Sequence, residues 1–322
     1  MKRAVSGLLA VALLLGLLGA GQAQTVRVGV TTKALDYLPI FLGKEKGLFR
    51  EEGVNAELFV LGTSVRIFPA LIGGSIEVFD STLFVVLLGI EKGEKVEILG
   101  ATTKHAQFHL VTKPEIRQVK DLMGKRVGST GVGSGHYFSL IAFMEKQGMK
   151  FPGDYSVLTI GGTPEVWRSL EAGSIDAGVL AFPFHILARG KGFHMLAELY
   201  RHAQYPLTGI TVKTDWAQRN EELLLRYLKG HLRAMEYTYT RGPEAEEVLI
   251  RVMGYQPDMA RLGWEEYSRI GQWNRDLVIS PDAVKTMMGF LIKTGEIKAP
   301  GEFSKYANPS YVAKANAQLK AR

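Results

Sequence analysis

The segment Gly128-Ser129-Thr130-Gly131-Val132-Gly133-Ser134-Gly135-His136 holds the densest set of groups able to grip a polar ligand. Its glycines leave backbone N–H groups approachable, and a helix beginning at its end adds partial positive charge. That combination suits an anion or polar head held by neutral dipoles. It is not a P-loop, because no Lys-Ser/Thr pair follows the glycines, and His136 stands where GxGxxG needs its last glycine. A plain glycine-rich turn is the alternative. His105, Gln107 and His109 are spaced by two, so a strand would set them on one face. Metal ligation is the sharper reading of that trio, but no acidic or further histidine motif accompanies it, so no metal is expected. Phe182-Pro183-Phe184, Tyr205, Trp264, Tyr267 and Trp273 could stack on a flat ligand or simply pack. Reaction chemistry finds no foothold: GxSxG and HExxH are missing, and no cysteine offers a thiolate or a cluster ligand. No catalytic residue and no cofactor is expected.

The elements that must position these groups alternate between strand and helix. Strands are predicted at Thr25 to Val30, Val54 to Val60, Ile76 to Phe79 and Val96 to Gly100, with helices at Leu38 to Lys46 and Thr82 to Ile90. Ser64 is a candidate N-cap for a helix ending at Gly73-Gly74, although Pro69 inside it is awkward. A second α/β unit follows, with strands at Arg126 to Ser129, Ser156 to Ile160 and Ile175 to Leu180 and helices at His136 to Gln147 and Pro164 to Glu171. From Asp215 onward the pattern is helical. This is an α/β protein of mostly parallel sheets flanked by helices. In such sheets ligands sit beyond the carboxyl ends of the strands. The candidate ligand-binding residues are therefore Thr31, Asp36, Tyr37, Thr63, Ser64, Ser81 and Thr82 in the first half. Gly133, Ser134, Gly135, His136 and Phe182 are those in the second.

The two halves repeat each other. Arg27-Val28-Gly29-Val30-Thr31 answers to Arg126-Val127-Gly128-Ser129-Thr130, an offset of 99 from Arg27 to Arg126. Leu71 through Glu77 answers to Leu170 through Asp176 at the same offset. Glu77 and Asp176, opening matched strands, are expected to pair structurally. Two similar lobes imply a cleft, joined by short crossing strands near Gln107 to Val111 and Leu207 to Val212. The expected division is residues 24–110 with 207–322 in one lobe and 111–206 in the other.

Residues 1–23 look like an export signal: Lys2 and Arg3, the apolar run Leu8 to Leu18, then small residues before cleavage. With no cysteine, no lipid attachment is expected, and the product is read as a free periplasmic protein. The formal charge of +7 includes Lys2 and Arg3, and the remaining basic residues are scattered among acids. No nucleic-acid footprint results.

Tyr37-Leu38-Pro39, Lys44 through Phe49, Ala70-Leu71 with Gly74 through Glu77, Asp121 through Val127 with Gly133 through His136, and Gly173 through Ala177 together resemble one family. It is that of periplasmic solute-binding proteins of ABC importers, in the branch serving aliphatic sulfonates, taurine, nitrate and the thiamine pyrimidine precursor. The resemblance implies a two-lobed type II periplasmic binding fold with a helical C-terminal segment, a monomer that closes over one small molecule and docks on an inner-membrane permease. It implies cleft contacts at Thr63, Ser64, Ser81, Gly133, Ser134 and His136. A sulfonate-like organic anion is the favoured ligand and a flat heteroaromatic the alternative. An exported sensor, or a chorismate-dehydratase-like enzyme on the same scaffold, is the reading from another class.

Overall fold

A computed structural model of the chain describes residues 23–131, 134–202 and 204–321. The expected export signal lies outside them, apart from Ala23. Among the described residues ten strands form two five-stranded sheets. The first contains β1 (Gln24–Val30), β2 (Val54–Val60), β3 (Val78–Thr82), β4 (Val96–Ala101) and β10 (Thr208–Lys213) in the order β2-β1-β3-β10-β4. The second contains β5 (His109–Thr112), β6 (Arg126–Ser129), β7 (Ser156–Thr159), β8 (Ala177–Leu180) and β9 (His194–Glu198) in the order β7-β6-β8-β5-β9. In each sheet the first three strands are parallel, and the fourth runs against both neighbours. That reversed strand is β10 in one sheet and β5 in the other. In each case its pairing with the outermost strand shifts register once, between Ile210 and Thr211 and between Leu110 and Val111.

The repeat seen in the sequence has a physical basis. The Arg27 backbone N–H and guanidinium both donate to the Glu77 carboxylate, and those of Arg126 donate to Asp176. Gly29 and Gly128 let a helix lie against the sheet: a methyl on Gly29 would come within 2.5 Å of Ile67, and one on Gly128 within 2.5 Å of Ile175. Gly74 and Gly173, at φ 74° and 75°, end the matched helices Ser64–Ile72 and Thr163–Glu171 in the left-handed conformation that a side chain resists.

Several local expectations shift. Ser64 is the first residue of its helix, with Thr63 as the cap residue and no side-chain cap bond, and Pro69 lies within the helix. His105 and Gln107 precede β5, so only His109 of that trio stands on a strand. The helix Phe184–Gly190 and the strand β9 were not anticipated, and the helix Pro257–Ile270 falls within the helical stretch expected from Asp215 onward.

Two links cross between the sheets, residues 102–108 and 199–207. Thr103 Oγ1 joins them by accepting from the backbone N–H of both Leu207 and Thr208, each at 3.1 Å. The first link is also strapped by the C-terminal region: Lys104 N–H donates to Gln272, Asn274 N–H to Thr102, and Ala101 N–H to Leu277. An aromatic cluster continues the core across the joint, with Phe84 4.5 Å from Phe138 and Phe290 5.6 Å from Phe138. Phe290 belongs to the helix Pro281–Lys293, so the C-terminal region touches the second sheet as well as the first. Among the described residues no helix is long and apolar enough to cross a membrane.

Candidate ligand-binding site

The parallel strands of the two sheets bring their carboxyl ends toward one helix. Leu35, just past β1, and Phe182, just past β8, both meet Gly263 of the helix Pro257–Ile270. A methyl there would lie 2.5 Å from Leu35 and 2.8 Å from Phe182. The candidates fall at the carboxyl ends, or tips, of the parallel strands in each sheet.

At the first tip, Thr31 Oγ1 donates to Tyr37 Oη at 2.7 Å, and the buried Ser81 hydroxyl approaches the same phenol without completing a hydrogen bond. Asp36 keeps part of its surface exposed, yet its carboxylate accepts from Gln272 Nε2 at 3.1 Å and faces the Tyr267 hydroxyl. Burial pushes the Asp36 carboxyl up to about 6. Asp80, wholly buried beneath this tip, accepts from Thr102 Oγ1 at 3.2 Å; burial, with the charge of Asp36 adding to it, pushes its carboxyl up to about 7. Thr63 is exposed and Ser64 half-buried, with no side-chain hydrogen bond at either, and Thr82 precedes the helix Leu83–Glu91.

At the second tip the hydroxyls are largely spent on the protein. Ser134 Oγ donates to the Gly131 carbonyl at 2.7 Å and accepts from Tyr137 N–H, capping the helix Gly135–Lys146. Gly135 is buried under Phe108 and Leu207, and its carbonyl accepts from Tyr205. Gly133 lies outside the described residues. His136 is half-buried here. Its ring lies 3.8 Å from that of Phe108, Nε2 is 3.1 Å from Thr163 Oγ1, and burial pulls its pKa down to about 3. It is therefore a neutral ring at physiological pH.

Among the aromatics proposed for stacking, packing accounts for most. Phe182 is buried against Tyr255 and Tyr267. Tyr205 is buried with its hydroxyl bound to Ser139 and Gly135, and the indole N–H groups of Trp264 and Trp273 donate to Thr238 and Leu35. These rings close the joint rather than wait for a ligand.

Sequence reasoning passed over Arg66 and Gln272. Arg66 stands one turn into the helix after β2, exposed and without an ion pair among the described residues. Helix position and the absence of a nearby acid could have flagged it. Gln272 links Asp36 to the His105 carbonyl from far along the chain, a contact no local pattern announces.

A sequence model of the family described as NMT1/THI5 like matches residues 34–245. The taurine-binding periplasmic protein of Escherichia coli strain K12 is 22% identical over 229 residues, 70% of either chain. Among solved structures, the periplasmic aliphatic sulphonate binding protein SsuA from Escherichia coli aligns with a TM-score of 0.74 at 15% identity, covering 90% of this chain and 99% of its own. The desulfurization enzyme DSZB aligns at 0.69 and 13% identity over 92% and 99% of the two chains. The architecture is the two-lobed periplasmic binding protein fold, on which both capture and catalysis are built.

Proposed function

Because the chain belongs to the NMT1/THI5-like family, we propose that it captures a small organic anion of the sulfonate type for an ABC importer. The lobes, taken as residues 24–110 with 207–322 and residues 111–206, close over the ligand about the two crossing links. The mature protein, freed of residues 1–23, acts as a periplasmic monomer and delivers its load to an inner-membrane permease. What supports this reading is the polar chemistry at the strand ends of both sheets, an exposed guanidinium at Arg66 with the Thr63 and Ser64 hydroxyls beyond β2 and a neutral ring at His136 beyond β6. Polar groups on both sides make ligand binding favour the closed state by the difference in contacts between open and closed forms. Resemblance to taurine- and sulphonate-binding proteins supports the anion.

His136 backed by Phe108 favours the second reading, a flat heteroaromatic stacked on that ring. A thermal-shift screen of alkanesulfonates, taurine, nitrate, aromatic acids and pyrimidines separates the two. A sulfonate at one hundred times its Kd is expected to stabilise the protein by about 2.7 kcal/mol, and Arg66→Ala to weaken it about tenfold, as loss of one charged contact does. Response to pyrimidines alone supports the ring. No response from any class sinks capture, and turnover of a chorismate-like substrate would establish the enzyme instead.

A further inference from the structure

Beside the crossing links, away from Thr63, Ser64 and Arg66, lies a cavity of about 340 Å³ lined by His109, His185, Met195, Arg189, Arg269 and Glu266 among others. His109 and His185 are both buried, their rings parallel within 12° and 3.9 Å apart. Nδ1 of each ring is buried without a hydrogen-bond partner. His185 Nε2 stands 3.4 Å from Glu266 Oε2, and one donor atom from each of the three residues lies within 4.8 Å of the others. Gln107 Nε2 donates to the other carboxylate oxygen of Glu266 at 2.5 Å, fixing its direction.

We propose that His109, His185 and Glu266 bind a divalent transition-metal ion that bridges the two lobes. Two imidazoles and a carboxylate are the donor set of three-ligand zinc sites, which keep a fourth position open. Tetrahedral bonds of about 2.0–2.1 Å hold donors roughly 3.4 Å apart. The His185–Glu266 spacing already matches; because an ion lies in the plane of each imidazole it joins, one of the two parallel rings must turn out of the stack on binding, and the widest separation allowed by the cluster closes by roughly 1.4 Å. The fourth ligand would come from the cavity, which Arg189 and Arg269 line together with Glu198 and Glu265. Gln107 acts as the outer partner that orients a ligating carboxylate.

The placement gives the site its consequence. His109 stands on β5 and His185 on the helix Phe184–Gly190, both with the second sheet. Glu266 stands on the helix Pro257–Ile270, whose Ala260 and Tyr267 share a core with β1. An ion held by all three ties one lobe to the other. If the lobes close on a captured solute, the ion and the solute raise each other's affinity by the same factor. That coupling rests on the capture reading; the metal site itself does not.

The test uses the mature chain without a histidine tag, stripped with EDTA, and adds no organic ligand, so its failure and failure of the solute screen are separate results. Zn²⁺ is titrated by calorimetry and Co²⁺ by visible absorption. One ion per chain is expected, with the intense bands of four-coordinate Co²⁺ and a raised Tm. Loss of an outer partner weakens metal sites 10–100-fold, so Gln107→Ala is expected to cost roughly tenfold and His185→Ala or Glu266→Gln at least about 100-fold. Should His185→Ala not fold, Glu266→Gln at the part-exposed position answers the same question. No Zn²⁺ binding by the parent chain, or equal binding by Glu266→Gln, overturns the proposal.

Discussion

The two sheets share a foundation and differ at the tips. Both anchor their first strand by an arginine bound to an acid fifty residues on, and both admit a helix over a glycine. Above that base they diverge. Asp80, buried in β3, has Val179 as its counterpart 99 residues later in β8. The first tip therefore rests on carboxyls with raised pKa, whereas the second rests on hydrocarbon and a neutral imidazole. Architecture tolerates either because the backbone ladder, not the tip chemistry, holds each sheet. The tips can be tuned to a ligand while the base stays fixed.

The bases are not equally strong. Asp176 accepts from Arg126 and also from Lys113 Nζ at 2.9 Å, and these donors hold its carboxyl down at about 2 against the cost of burial; among the described residues Glu77 has Arg27 alone. Asp176→Ala is expected to cost about 2–4 kcal/mol and Glu77→Ala about 1–2 less, since the first strips two cations and a backbone N–H of their acid and the second one cation and one N–H, leaving Lys113 and Arg27 only the Gly173 and Gly74 carbonyls. Chemical denaturation measures both, and equal losses would break the distinction. The Asp176 contribution is present above about pH 4 and disappears as pH falls toward 2. A smaller effect is expected at the paired glycines. A methyl on Gly29 meets both Ile67 and Ile76 within 2.6 Å, while one on Gly128 meets only Ile175 that closely, so Gly29→Ala should cost more. The range for such overpacking is about 1–3 kcal/mol. The carboxyl with no counterpart is read through pH instead. Native Asp80 keeps its proton to about pH 7 while the unfolded chain releases it near 4, so it lowers stability as pH rises through that window. Asp80→Asn should gain on the parent by up to about 4 kcal/mol between pH 4 and 7, at about 1.4 kcal/mol per pH unit, and no further above it. A flat difference across that range would show that Asp80 ionises normally.

Much of the base was legible in the sequence, because its reasons are local. Alternating Val-rich strands, glycine helix ends and the common offset of 99 needed only short windows. The strands expected at Gln107 to Val111 and Leu207 to Val212 were placed within two residues of β5 and β10, since their composition matches a buried strand, but each lies inside one sheet and the crossing links precede them. The tips were less readable. Ser134 and Gly135 sit in the expected turn, but capping and close packing consume what looked like ligand contacts. Phe182 and Tyr205 looked available because burial by a helix some eighty residues away leaves no mark beside them. The His109–His185–Glu266 cluster escaped for the same reason: only His109 belonged to a visible pattern, and its partners arrive through tertiary packing.

The position of β10 governs how this chain can assemble. The second sheet is drawn from one unbroken stretch, residues 109–198, and contains all it needs once that stretch is made. The first is interrupted: β3 and β4 do not touch until β10, arriving more than a hundred residues later, slides between them. Made amino end first, the earlier half must wait with a gap at its centre while the later half completes itself. A nascent chain stalled near residue 205 should accordingly protect 109–198 from protease and leave β4 open to it.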